Sequence, residues 1–170
     1  MKLVSESLNE LYKFEKKSDP LVSLGIGKKA LITSWLDEMN IVNYIINDDL
    51  TIDVKGYVYL DDKGLDKFPD YIKFGKVGGY FYCSNNQLVS LEGCPSSVSG
   101  YFSCSNNQLV SLEGCPSSVG GGFYCYNNQL VSLEGCPVSV GGWFDCRNNK
   151  KQFSREEVKK VCKVKGNVYV

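Results

Sequence analysis

The stretch Gly78–Val98 reads GGYFYCSNNQLVSLEGCPSSV, and the chain then writes nearly the same 21 residues twice more. One copy is too short to bury a core alone, so the copies must build a structure together. Within the repeat a seven-residue pattern recurs six times: V-x-G-x, an apolar residue, any residue, then Cys, Leu or Val. The copies start at Val54, Val77, Val98, Val119, Val140 and Val164, and successive starts differ by 23, 21, 21, 21 and 24 residues. A period near 21 residues with one short strand per period is a solenoid signature.

Alternation within each strand sorts the side chains onto two faces. Phe81 with Cys83, Phe102 with Cys104, Phe123 with Cys125 and Phe144 with Cys146 point inward. Asn86, Leu88, Leu91, Cys94 and Val98 continue the buried side of that coil, and Asn107 and Asn128 take the place of Asn86 in the next two. A buried asparagine at each coil corner suits a turning backbone, because its amide can pair with peptide groups the turn leaves open. Strands of successive coils then stack as a parallel sheet spaced by about 4.8 Å.

The pattern F81-x-C83-x-x-N86-x-L88-x-x-L91 resembles the leucine-rich repeat, with Phe and Cys in place of its first two leucines. The phrase CSNNQLVSLEGCP is also similar to repeats of uncharacterised leucine-rich proteins of tailed bacteriophages and related bacteria. The first resemblance implies an α/β solenoid. In that picture the coils form a horseshoe whose single parallel sheet, one strand per period, lines a concave, protein-binding side.

A stack exposes apolar ends, so atypical caps are expected. Val4, Leu8, Leu11 and Tyr12 share one helical face, and a second helix over Lys28–Met39 should bury Ala30, Leu31, Trp35 and Met39. YIINDDLTIDV reads as a hairpin around Asn47-Asp48-Asp49. At the other end Ser154 and Glu157 have capping-box spacing, so a helix should start there with Val158, Val161 and Cys162 facing the core. A strand over Val164–Val170 then closes the sheet. The organisation is a cap over 1–53, a solenoid over 54–149 and a second cap over 150–170. The opening MKLVSESLNE is similar to leaders of internal head proteins of large phages, trimmed after a sequence like Leu8-Asn9-Glu10. The same residues also read as the first turns of a cap helix.

Composition narrows the function. Formal net charge is +0, with 19 basic and 19 acidic residues, which argues against a surface built for nucleic acid. Residues 147–165 do carry eight Lys or Arg against Glu156 and Glu157, but without interleaved aromatics they read as a solvated helix face. No apolar run is long enough to span a bilayer and no secretory h-region opens the chain, so a cytoplasmic protein is expected. There is no histidine, the commonest general base and metal ligand. The eight cysteines recur on the 21-residue period or stand alone, as core positions rather than as a C-x-x-C metal framework. Glu92, Glu113 and Glu134 form a ladder on the outer side. The paired glycines lack the Lys-Ser/Thr of a phosphate loop, and the serines lack a paired base. No enzyme, cofactor or metal is expected.

What remains is the outward face of the strands, the concave face in the horseshoe reading. Tyr57, Tyr80, Tyr101 and Trp143 fall in one column broken by Gly122, which should leave a gap for a partner's side chain. Tyr59, Tyr82 and Tyr124 form a second column ending at Asp145, with Tyr126 and Arg147 beside it. Exposed aromatics on a rigid sheet suit a binding surface. The expected function is non-enzymatic binding of a partner protein. The alternatives are a structural or packaged virion component, and carbohydrate binding by ring stacking.

Overall fold

A computed structural model of the chain describes residues 26–170. The expected face of Val4, Leu8, Leu11 and Tyr12 and the Leu8-Asn9-Glu10 sequence lie outside the described residues.

The repeats form a parallel β-solenoid of six coils, and each coil contributes two short strands instead of the one expected. After helix α1 (Ile26–Glu38) come β1 (Tyr44–Ile46) and β2 (Ile52–Val54), then β3 (Val58–Tyr59), β4 (Phe74–Val77) and β5 (Phe81–Tyr82). The repeats continue as β6 (Ser97–Val98), β7 (Phe102–Ser103), β8 (Ser118–Val119), β9 (Phe123–Tyr124), β10 (Ser139–Val140) and β11 (Phe144–Asp145). Helix α2 (Arg155–Val161), β12 (Lys163–Val164) and β13 (Val168–Tyr169) end the chain. One sheet has seven strands in the order β1-β2-β4-β6-β8-β10-β12; the other has six in the order β13-β11-β9-β7-β5-β3. All pairings are parallel except β1 with β2.

The V-x-G segment makes the corner between the two sheets. Gly100 N donates to Gly79 O at 2.9 Å and Gly121 N to Gly100 O at 2.8 Å, so the corners themselves form a ladder. A β-carbon on Gly100 would lie 2.7 Å from Gly79 O, which is why the corner needs glycine. The residues before the corner also find partners one coil away, such as Ser117 N to Ser96 O at 3.0 Å. This satisfies the backbone of a segment read as a turn and converts it into the second strand.

Between the sheets the repeat builds a continuous core. Phe81, Phe102, Phe123 and Phe144 are fully buried, and Phe81–Phe102 and Phe102–Phe123 stack with ring centroids 5.6 and 5.5 Å apart. Each such ring contributes about 2 kcal/mol of burial. Cys83, Cys104, Cys125 and Cys146 are buried beside them, with Leu88, Leu91, Leu109, Leu112 and Leu130 on the far side of the coil.

The corner asparagines pair with the backbone as expected from sequence, with Asn107 and Asn128 buried but Asn86 only half-buried. Asn107 Nδ2 donates to Cys83 O and Cys104 O, each at 3.0 Å, while its Oδ1 accepts from Leu88 N at 3.0 Å. Asn86, Asn128 and Asn149 repeat the arrangement. Among the described residues no buried side-chain nitrogen or oxygen lacks a partner.

The caps agree with expectation in kind and differ in detail. Helix α1 buries Leu31, Ile32, Trp35 and Leu36, with Trp35 edge-on to Phe74 at 6.3 Å. Ala30 is exposed and Met39 half-buried, because the buried stripe follows Ile32 and Leu36. The hairpin turns where expected, with Asn47 N donating to Thr51 O at 2.9 Å, and its second strand joins the stack through β4. Ser154 caps α2 with a full capping box. Val158 and Cys162 are buried, but Val161 is 49% exposed because the helix ends there and turns it outward. The closing segment is two strands, one for each sheet, since the last V-x-G turns the same corner as the others.

Candidate functional site

The six-stranded sheet carries its outward side chains in columns, one residue per coil. The pairings Val58↔Phe81, Phe81↔Phe102, Phe102↔Phe123, Phe123↔Phe144 and Phe144↔Val168 set the register. Tyr57 is therefore aligned with Tyr80, Tyr101, Gly122 and Trp143, and Tyr59 with Tyr82, Ser103, Tyr124, Asp145 and Tyr169. The third column holds Asp61, Ser84, Ser105, Tyr126 and Arg147.

The rings touch along and across the columns. Tyr57–Tyr80 and Tyr80–Tyr101 centroids are each 5.0 Å apart, Tyr59–Tyr82 5.6 Å and Tyr80–Tyr82 5.7 Å. Tyr57, Tyr59 and Trp143 remain 54%, 53% and 50% exposed, since their inward neighbours already fill the coil. Tyr80, Tyr82, Tyr124 and Tyr126 are half-buried. Burial, followed by the neighbouring tyrosines, pushes the Tyr82 hydroxyl above its ordinary pKa, and Tyr124 behaves alike.

Two of the expected site features change. Gly122 leaves no gap, because Tyr124 leans over it: a β-carbon there would lie 2.7 Å from Tyr124 Oη. Tyr124 also reaches Tyr101 at 6.3 Å, so the aromatic surface crosses between columns at this coil. Asp145 stands at an outward position yet is only 4% exposed. The Arg147 guanidinium folds over it, donating from Nη2 to Oδ2 at 2.7 Å and from Nε to Oδ1 at 3.0 Å, and the Arg147 backbone N–H adds a third bond at 3.2 Å. The same guanidinium lies 5.2 Å from the centroid of Tyr169. Asp145 thus orients Arg147 and is not itself presented to a ligand.

Strand parity also turns Ser84, Ser103 and Ser105 outward, but the expected binding residues included neither these serines nor Asp61, which together floor this face. A shallow trough of about 450 Å³ runs across the coils, lined by Asp61, Tyr82, Ser84, Ser103, Tyr124, Tyr126 and Arg147 among others. Its hydroxyls are linked, Ser84 Oγ to Ser103 Oγ at 2.7 Å and Ser103 Oγ to Ser105 Oγ at 3.3 Å. Asp61 sits at one end and accepts the Ser84 backbone N–H at 2.6 Å. Burial raises its carboxyl pKa, opposed by Ser84 and reinforced by Asp62. The signal was available in the strand parity, which puts Asp61 two residues beyond Tyr59 on the same face.

Other chemistry is sparse. All eight cysteines are free thiols, and six of them are buried. Among the described residues no three His, Cys, Asp or Glu side chains are grouped to hold a metal ion, and no helix is long and apolar enough to cross a membrane. Glu92, Glu113 and Glu134 are exposed at the coil edge, away from the aromatic columns. Comparison with known protein families, characterised proteins and solved structures finds no match to this chain.

Proposed function

We propose that this protein is a non-enzymatic recognition module that binds a partner protein through the aromatic outer face of its six-stranded sheet. The observation that carries the reading is the tyrosine array. Rigid aromatic side chains, already packed side by side and half-exposed, offer contact area at low entropic cost, as binding hot spots do. The coil interior supports a leucine-rich-repeat kinship for the scaffold: Phe81, Cys83, Leu88 and Leu91 fill the inside and Asn86 pairs with the corner backbone. In such a horseshoe the aromatic face is the concave one.

Carbohydrate binding is a second reading, favoured by the hydroxyl-lined floor between Tyr82 and Tyr124. Affinity capture separates the readings. Immobilised wild-type chain should recover a protein that the Tyr82→Ala/Tyr124→Ala double variant does not, and soluble glycans should not compete. Equal recovery by both chains overturns the aromatic-face reading, and competition by a glycan favours the sugar. Finding the chain inside purified virus particles would move the same surface to a role in assembly.

A further inference from the structure

The aromatic face is small. Six strands about 4.8 Å apart make it about 24 Å long, and it is two to three side chains wide, roughly 400 Å². A standard interface buries about 800 Å² on each partner. The face therefore suits a segment of a partner better than a broad globular surface.

The two ends of the face differ in one respect that defines what such a segment carries. At the far end a carboxylate, a guanidinium and a ring complete one another: Asp145 holds Arg147 through two side-chain hydrogen bonds, and Arg147 lies over Tyr169. At the near end the carboxylate and the rings are present without the cation. Asp61 follows Tyr57 and Tyr59 on the outward side of the first coil, and Tyr59 and Tyr82 stand 5.6 Å apart beside it. Asp61 accepts the Ser84 backbone N–H and also feels the Ser84 hydroxyl, and it pairs with no cation among the described residues. The adjoining charge of Asp62 makes this end more acidic. The chain has only two arginines, and both are committed at the other end, Arg147 to Asp145 and Arg155 to the Val168 carbonyl at 3.1 Å.

We infer that this end of the face is a receptor for an arginine side chain of the partner segment, with Asp61 taking the guanidinium and Tyr59 and Tyr82 stacking on it. A planar guanidinium suits the site better than an ammonium, since it can bond a carboxylate edge-on and lie flat on a ring at once. Tyrosine faces attract the cation, more strongly where water is partly excluded. The inference rests on the aromatic-face reading above and narrows it.

The test needs no knowledge of the partner. N-acetyl-arginine amide, titrated into isotope-labelled protein, should shift the Tyr59 and Tyr82 ring resonances and the Asp61 carboxyl carbon saturably. N-acetyl-citrulline amide, of the same shape without the charge, should leave them in place, and N-acetyl-lysine amide should bind several-fold more weakly. Asp61→Asn, which keeps the acceptor for Ser84, should weaken the arginine probe at least about fivefold, the scale of a lost charge-assisted hydrogen bond. Equal shifts by the citrulline probe, or shifts confined to Trp143 and Tyr169, overturn the inference. If Tyr82→Ala/Tyr124→Ala loses the partner while Asp61→Asn retains it at full affinity, the aromatic-face reading stands and the arginine site falls.

Discussion

The side-chain carbonyl of Asn107 accepts the backbone N–H of Leu88, one coil back, at 3.0 Å. The same side chain donates to two carbonyls on either side of the coil boundary, Cys83 and Cys104. One buried amide therefore joins two coils and pairs the backbone of both.

Removing it should leave several buried peptide groups unpaired. Asn107→Ala is expected to cost about 3 kcal/mol, since each orphaned group costs about 1–3 kcal/mol. Its neighbour Asn106 makes a different contribution. It holds φ at 55° and its amide bonds Asn85 at 2.7 Å in the open. Asn106→Gly should stay within about 1 kcal/mol of wild type, because glycine accepts positive φ freely. Urea unfolding of the two variants checks the contrast, and similar losses for both would contradict it.

The glycines divide in the same way. A β-carbon on Gly141 would collide with the Gly120 carbonyl of the preceding coil, and neither backbone can withdraw without breaking the ladder. Gly141→Ala should destabilise by more than about 2 kcal/mol. At Gly122 the obstacle is the tip of the Tyr124 ring, which can swing aside. Gly122→Ala should keep the fold within about 1 kcal/mol and change the Tyr124 ring shifts. Loss of the fold in Gly122→Ala would show that Tyr124 is fixed by more than its packing.

These residues also show what the sequence made legible. The strand parity of Phe81 and Cys83, the corner asparagines and the capping box at Ser154 each follow from a local rule, and each takes the expected place. The second strand did not stand out, because Ser97–Val98 is two residues long and owes its conformation to neighbours 21 residues away. On the aromatic face, parity located Tyr57, Tyr80 and Tyr82 correctly. It could not reveal that Arg147 covers Asp145 or that Tyr124 covers Gly122, since both depend on rotamers rather than on register.

The thiols make alkaline pH a probe of the core. Burial raises the pKa of Cys136 to about 11 and of Cys146 and Cys162 to about 12, and it holds Cys104 and Cys125 well above the ordinary thiol value. In the unfolded chain the same thiols ionise near about 8.5. The folded state therefore binds more protons above that pH, and stability falls as pH rises. The contribution is intact below about pH 8.5 and is lost progressively toward pH 11 to 12. Denaturant midpoints should be level from pH 7 to 8 and decline from pH 9 upward. Thiol labelling of native protein should be slow, with half-buried Cys136 and Cys115 reacting ahead of Cys104 and Cys125. Fast labelling of Cys104 would contradict this core.

Charge at the coil edge should matter little to recognition. Glu92, Glu113 and Glu134 are exposed and stand apart from the tyrosine columns. Replacing all three by Lys should change partner affinity by less than about threefold, beyond a screened long-range effect that added salt removes. A loss of tenfold or more that persists at high salt would move the working surface to this edge.

The claim that the aromatic face is the working surface is tested most directly by hydroxyl-radical footprinting of the free and partner-bound protein. Protection is predicted at Tyr57, Tyr59, Tyr80, Tyr82, Tyr101 and Trp143, with unchanged reactivity at the exposed valines Val89, Val110 and Val131 on the coil edge. Protection of those valines with the tyrosines left reactive would contradict the account.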